Sequence, residues 1–110
     1  MVFMDDEKYE KSFQLIAAAG ESKSNAMMAI EAAREGEFEK AEKLLEVAEK
    51  TLKMAHGFQF QMIKEEADGN HAEANIILIH AQDYLTMAIL TKERAEETIK
   101  MYKIILSLKT

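Results

Sequence analysis

Apolar and polar residues follow a helical period along most of this chain, and the pattern breaks at two glycine-bearing points. Gly36, in "AAREGEFEKAE", closes one helical pattern and precedes another, where a helix C-terminus takes a residue tolerant of the left-handed conformation. The second break is "EADGNHAE", residues 66–73. Its Asp68-Gly69 pair signals a turn, and Asn70 with Glu73 reads as a capping-box variant opening the next helix. The pattern predicts helices over 6–35, 38–66 and 71–108 within a single domain, 1–110. Short connections make neighbours antiparallel, giving an all-α, up-down-up three-helix bundle. Gly20 and Gly57 fall inside the first two rods, where glycine costs about 1 kcal/mol relative to alanine, and suggest close backbone packing or a slight kink. "REGEFEKAEKLLEVAEKTLKMAH" is similar to a tetratricopeptide hairpin, but such repeats need stacked copies and no second copy follows. Two antiparallel helices meeting at a tight turn explain it.

The third segment carries more apolar surface than one bundle face needs. On a helix, Ile77, Ala81, Tyr84 and Ala88 form one stripe, and Ile76, His80, Asp83, Met87 and Leu90 an adjacent one. Leu78, Leu85 and Ile89 occupy a third sector, which leaves Asn75, Gln82, Thr86 and Glu93 as the polar strip. Two other helices of this length do not cover such a surface, so the third helix is expected to line an oligomer interface. The His80–Asp83–Met87–Leu90 stripe has the spacing of a heptad seam. A carboxylate buried there must be protonated, paired with His80 or bound to a cation. If copies meet around a rotation axis, their Asp83 carboxylates converge and invite an oxygen-seeking cation such as magnesium.

Composition narrows the class. The chain has 110 residues with 48% hydrophobic content, enough to bury a core, and no proline or cysteine. Its formal net charge of −6, with lysines interspersed among glutamates, argues against nucleic acid. The N-terminal "MVFMDDEKYEK" turns acidic too soon for a signal-peptide core, and no apolar run approaches a membrane span. A cytoplasmic helical protein with no direct membrane insertion is the expectation. A unit of this size also gains from self-association.

Of the three histidines, His71 lies in a polar turn and reads as exposed and structural. His56, near Met54, Phe58 and Phe60, reads as a partly buried core residue. His80 lies among Ile76, Ile79, Ala81 and Met87 with an acid three residues on. Its neutral imidazole acts as a nucleophile if one ring nitrogen is free and the other is held. No H-E-x-x-H or H-x-x-x-H pair, Gly-rich phosphate loop or serine triad accompanies it. If His80 reacts, it accepts a group from another protein.

"IILIHAQDYLTMAIL" resembles the active-site helix of the lactose/cellobiose (chitobiose) class of phosphotransferase-system (PTS) enzyme IIA, whose pattern is approximately "hhhHAQDHLMTAhL", h being apolar. "AAAGESKSNAMMAIEAAREGEFEKAEKLLEVAEK" is similar to the family's first hairpin, "AHGFQFQMIKEEADG" to its "AHxxQTxLIxxEAxG", and "ERAEETIKMYK" to its end. The resemblance spans nearly the whole chain, and His80-Ala81-Gln82-Asp83 is its most specific element.

The resemblance implies a protomer that trimerises into a nine-helix bundle. It implies a sugar-uptake phosphocarrier in which His80 takes a phosphoryl group, through Nε2, from the phosphocarrier HPr. The group passes to a cysteine of the IIB component, while membrane IIC contacts the disaccharide. Gln82 is implied to lie beside the phosphohistidine as a hydrogen-bond donor, and Asp83 to bind a metal, usually Mg2+, on the trimer axis. Tyr84 stands where the family has a second, phosphoryl-positioning histidine; it keeps a donor but is longer and neutral at pH 7. Thr86-Met87 also reverses the family's order. The competing expectation is a noncatalytic interaction or regulatory module, either a degenerate IIA relative or a tetratricopeptide-like adaptor.

Overall fold

The computed structural model describes residues 6–71 and 74–109, with side chains from residue 9 onward. Three helices follow one another: α1 (Asp6–Arg34), α2 (Phe38–Ala67) and α3 (Ile76–Ser107). Their dimensions make a rod of 65 × 29 × 18 Å with a radius of gyration of 17.4 Å. A compact domain of this length would have a radius of about 13 Å.

Both glycine breaks terminate helices as their position suggests. Gly36 adopts φ 80° and Gly69 φ 92°. At the first, the Gly36 and Glu37 amides donate to the carbonyls of Ala33 and Ala32; at the second, those of Gly69 and Asn70 donate to Glu66 and Glu65. Each set is a Schellman closure, in which a left-handed residue lets the chain turn back and satisfy the last carbonyls. The tetratricopeptide-like string, residues 34–56, is accordingly the α1–α2 turn and the first part of α2.

α3 departs from its expected start. It begins at Ile76, not at residue 71, and its cap is Asn75, whose side chain accepts from the Leu78 amide at 2.9 Å. Asn75 sits in extended conformation one residue before the helix, as an N-cap must. The Asn70–Glu73 capping box therefore does not open α3: Asn70 belongs to the closure of α2, and Glu73 lies outside the described residues.

Side-chain links give the topology. Lys11 pairs with Glu65, and the Ser22 hydroxyl donates to the Ala48 carbonyl at 2.7 Å, so α1 and α2 run antiparallel. Lys92 pairs with Glu49 and Lys103 with Glu42, making α2 and α3 antiparallel. Tyr84 meets α1 at Gly20 and Tyr102 meets it at Arg34, so α1 and α3 are parallel. α1 packs extensively on both other helices, whereas α2 and α3 touch sparingly.

The core is built mostly from alanine. Ala26, Ala48 and Ala95 meet at mid-rod, and Ala29, Ala32, Ala33 and Ala41 surround Ile99 towards one end. Larger side chains, Leu15, Leu52 and Leu85, fill the other end with Ala81 and Ala88. Small facing residues let helix axes approach to the short end of the usual 8–10 Å range. Many of the large apolar residues point outwards instead: Met27, Met28, Ile76, Leu90, Met101 and Ile104 are all exposed. Among the described residues no helix is long and apolar enough to cross a membrane.

The interior glycines differ from expectation. A Cβ on Gly20 would lie 3.5 Å from the Tyr84 hydroxyl, an ordinary contact, and one on Gly57 would meet nothing within 4 Å. Gly57 is therefore not a close-packing site.

Candidate functional site

The site stands on the first four turns of α3, over the leucine-filled end of the core. Ala81, Leu85 and Ala88 are buried and fix the rotation of the helix. That rotation half-buries Ile77, Tyr84 and Ile89 and leaves His80, Asp83, Met87 and Leu90 exposed. The sequence-defined stripes thus separate physically: one seals the protomer, and the His80–Asp83 stripe faces out.

His80 contacts Tyr84 ring to ring, with centroids 5.4 Å apart and planes inclined at 48°. Tyr84 leans on the leucine-filled core cluster and brings its hydroxyl to α1 at Gly20. The Lys23 ammonium sits 5.7 Å from the Tyr84 ring centroid, within cation–π range. Lys23, Tyr84 and His80 therefore form a continuous run from α1 to the exposed imidazole.

Gln82, assigned to the polar strip, is half-buried. Its side-chain carbonyl accepts from the Gln59 amide at 2.7 Å. With the carbonyl occupied, the Gln82 NH2 group is the end left to donate. The one sign of Gln59 in the sequence is its place as the first glutamine of "AHGFQFQ", in the stretch shared with the IIA pattern. Lys23 carried no comparable signal, because only the packing of α1 against Tyr84 brings it near.

Asp83 is exposed, and among the described residues it makes neither hydrogen bond nor ion pair. It does not pair with His80, which removes one of the three ways of compensating it. Among the described residues no three His, Cys, Asp or Glu side chains of one chain converge on a metal. A hard cation such as Mg2+ takes several oxygen ligands, so the donor set fits it only where Asp83 carboxylates of several copies meet.

The other histidines lie apart. His56 is exposed, contrary to its expected core position, and so are its neighbours Met54 and Phe60. His71 is exposed, as expected, with Nδ1 2.8 Å from Glu66 Oε1.

Comparison with known proteins identifies the family and agrees with the fold. Residues 10–103 match the family described as PTS system, lactose/cellobiose-specific IIA subunit. The lichenan-specific phosphotransferase enzyme IIA component of Bacillus subtilis is 39% identical over 100 residues, covering 91% of each chain. The lactose-specific EIIA component of Staphylococcus epidermidis is 36% identical, over 89% of this chain and 94% of that one. The crystal structure of the cellobiose-specific enzyme IIA from Bacillus anthracis superposes with a TM-score of 0.89 at 38% identity, covering 99% of this chain and 97% of that one. The chain belongs to the lactose/cellobiose-specific IIA subunits of the PTS, which are phosphotransferase components of sugar uptake.

Proposed function

We propose that this chain is a cytoplasmic phosphocarrier of a disaccharide uptake system, taking a phosphoryl group from phospho-HPr on His80 and delivering it to a cysteine of IIB. The observation that supports this most is His80 itself. Within His80-Ala81-Gln82-Asp83 it is exposed, and among the described residues no hydrogen bond occupies its ring nitrogens. A carrier nucleophile must present a free lone pair to two successive partner proteins, and a satisfied core histidine does not.

The chemistry is one in-line displacement run twice. A neutral His80 nitrogen, Nε2 by family resemblance, attacks phosphorus; its N–P bond forms as the N–P bond on HPr breaks. A IIB thiolate then attacks the same phosphorus, the S–P bond forms, and the electron pair returns to the imidazole. Little covalent work falls to the protein, so positioning and charge compensation dominate. Tyr84 serves as a wall that limits the swing of the His80 ring. The Gln82 NH2, aimed by Gln59, donates to a phosphoryl oxygen.

Three copies associating through α3 form the nine-helix bundle and bring their Asp83 carboxylates to the axis. Mg2+ held there by Asp83 would neutralise converging negative charge. This role is structural and takes no part in the transfer step.

Transfer onwards tests the relay. Phosphorylated protein mixed with IIB should lose its label to the IIB cysteine, while IIB with that cysteine changed to serine should leave the label in place. Retention of the phosphoryl group in the presence of competent IIB would support the noncatalytic alternative.

A further inference from the structure

α3 carries one seam far longer than the His80–Asp83 segment. Positions 76, 80, 83, 87, 90, 94, 97, 101 and 104 step by four and three alternately, and all nine are exposed. That is a heptad stripe along almost the whole helix. Ile76, Met87, Leu90, Met101 and Ile104 supply its apolar layers. Four ionisable residues interrupt them. His80 and Asp83 belong to the site above; Arg94 and Glu97 have no part in it.

These two residues are adjacent layers of the seam, and neither is firmly held within one chain. Among the described residues Arg94 has no ion pair or hydrogen bond. Among the described residues Glu97 meets only Lys100, at 3.4 Å, with both side chains about 70% exposed. Arg94 also lines a groove of about 480 Å³ between α1 and α3 with Lys23, Met87, Leu90, Thr91 and Glu93. Two cations and one carboxylate line that groove, which leaves room for one more negative charge.

A second copy of the chain supplies that charge. Parallel copies around a rotation axis place each Arg94 at one height and each Glu97 one layer on. Every guanidinium then has a carboxylate of the neighbouring chain beside it. A slip by one heptad would set Arg94 against the Met87 or Met101 layers and bury a cation without a partner, which is strongly disfavoured. An apolar seam alone tolerates such slips; a charged layer does not.

We propose that Arg94 and Glu97 form an inter-chain ionic layer that fixes the register of α3 in the assembly. It rests on the reading that copies associate through α3. Its two levels lie about 17 and 21 Å along the axis from Asp83, at 1.5 Å per residue. By fixing the register it also sets the height at which the Asp83 carboxylates and the His80 rings meet.

Sedimentation equilibrium and native mass measurement of charge-reversed chains test it. Arg94→Glu and Glu97→Arg should each raise the concentration needed for half-assembly about tenfold or more, as expected when two adjacent layers carry charge of the same sign. The double swap R94E/E97R should return it to near the wild-type value. An equimolar mixture of the two single variants should form mixed assemblies better than either forms alone. Both positions are exposed, so helicity by circular dichroism should be unchanged in each variant. Wild-type assembly with unaffected single reversals would overturn the ionic layer and leave association through α3 standing. Weakened single variants without rescue by the double swap would also overturn it. A wild-type chain that stays monomeric would instead remove the association reading itself.

Discussion

Tyr84 is the residue at which this protein departs most from the pattern it otherwise follows. Its hydroxyl lies against α1 at Gly20 while its ring meets His80, so the ring rather than the hydroxyl bears on the imidazole. Tyr84→Phe should leave the rate of phosphoryl acceptance within about twofold, whereas Tyr84→Ala should lower it about tenfold by freeing the His80 ring. Stopped-flow or quenched labelling with phospho-HPr reads both, and an equal loss in both variants would assign the role to the hydroxyl. Gln59→Leu should slow acceptance by a similar factor, because it frees the Gln82 amide to turn over. At this scale the sequence exposed the residues that share one short motif, His80 to Tyr84. It did not reveal Gln59 and Lys23, which reach the site from other helices. His56 faces solvent because the apolar residues beside it do too: Met54 and Phe60 are themselves exposed, so their hydrophobicity marks no core face of α2.

The helices are limited by local chemistry, and their ends were legible where that chemistry is unambiguous. Gly36 and Gly69 each take a positive φ that favours glycine. The start of α3 was harder, since Asn70 and Asn75 are both good caps by composition, and it is the Asn75 side chain that accepts from an amide of the helix, that of Leu78. Asn75→Ala should therefore cost about 1 kcal/mol in chemical denaturation. The sparing α2–α3 contact makes Lys92 informative, because it bridges Glu49 on α2 and Glu96 on its own helix. The hydrogen bond from Lys92 holds the Glu49 carboxyl below its ordinary range, and the same bond raises Lys92. A lowered carboxyl pKa stabilises the fold above the ordinary carboxylate range, and that stabilisation disappears as pH falls through the lowered value. A raised lysine pKa gives stabilisation that is lost as pH climbs through the raised value. Lys92→Met should thus lower stability by about 0.5 kcal/mol near neutrality, a screened surface value. Thermal melts should show the difference closing in acid below about pH 4 and again in strong alkali.

Across the whole molecule, large and small residues are distributed inversely to a self-sufficient bundle. Alanine fills most of the interior, and methionine, isoleucine and leucine project from α1 and α3. The surplus apolar surface of α3 was visible in its sequence as three apolar sectors. Which sector faces outwards depended on the packing of Ala81, Leu85 and Ala88, which periodicity alone does not rank. In the proposed assembly, association through the outward sector should survive Asp83→Leu, because an apolar layer would replace one of converging carboxylates. Sedimentation should show the assembly retained or strengthened in this variant; dissociation to monomers would show that the metal is required to hold it together.

The central claim is that His80 carries the phosphoryl group, and labelling tests it most directly. With HPr, its upstream kinase and phosphoenolpyruvate, intact-mass measurement should show one acid-labile phosphoryl group per wild-type chain and none on His80→Ala. Equal labelling of that variant, or no labelling of the wild type, would contradict the account.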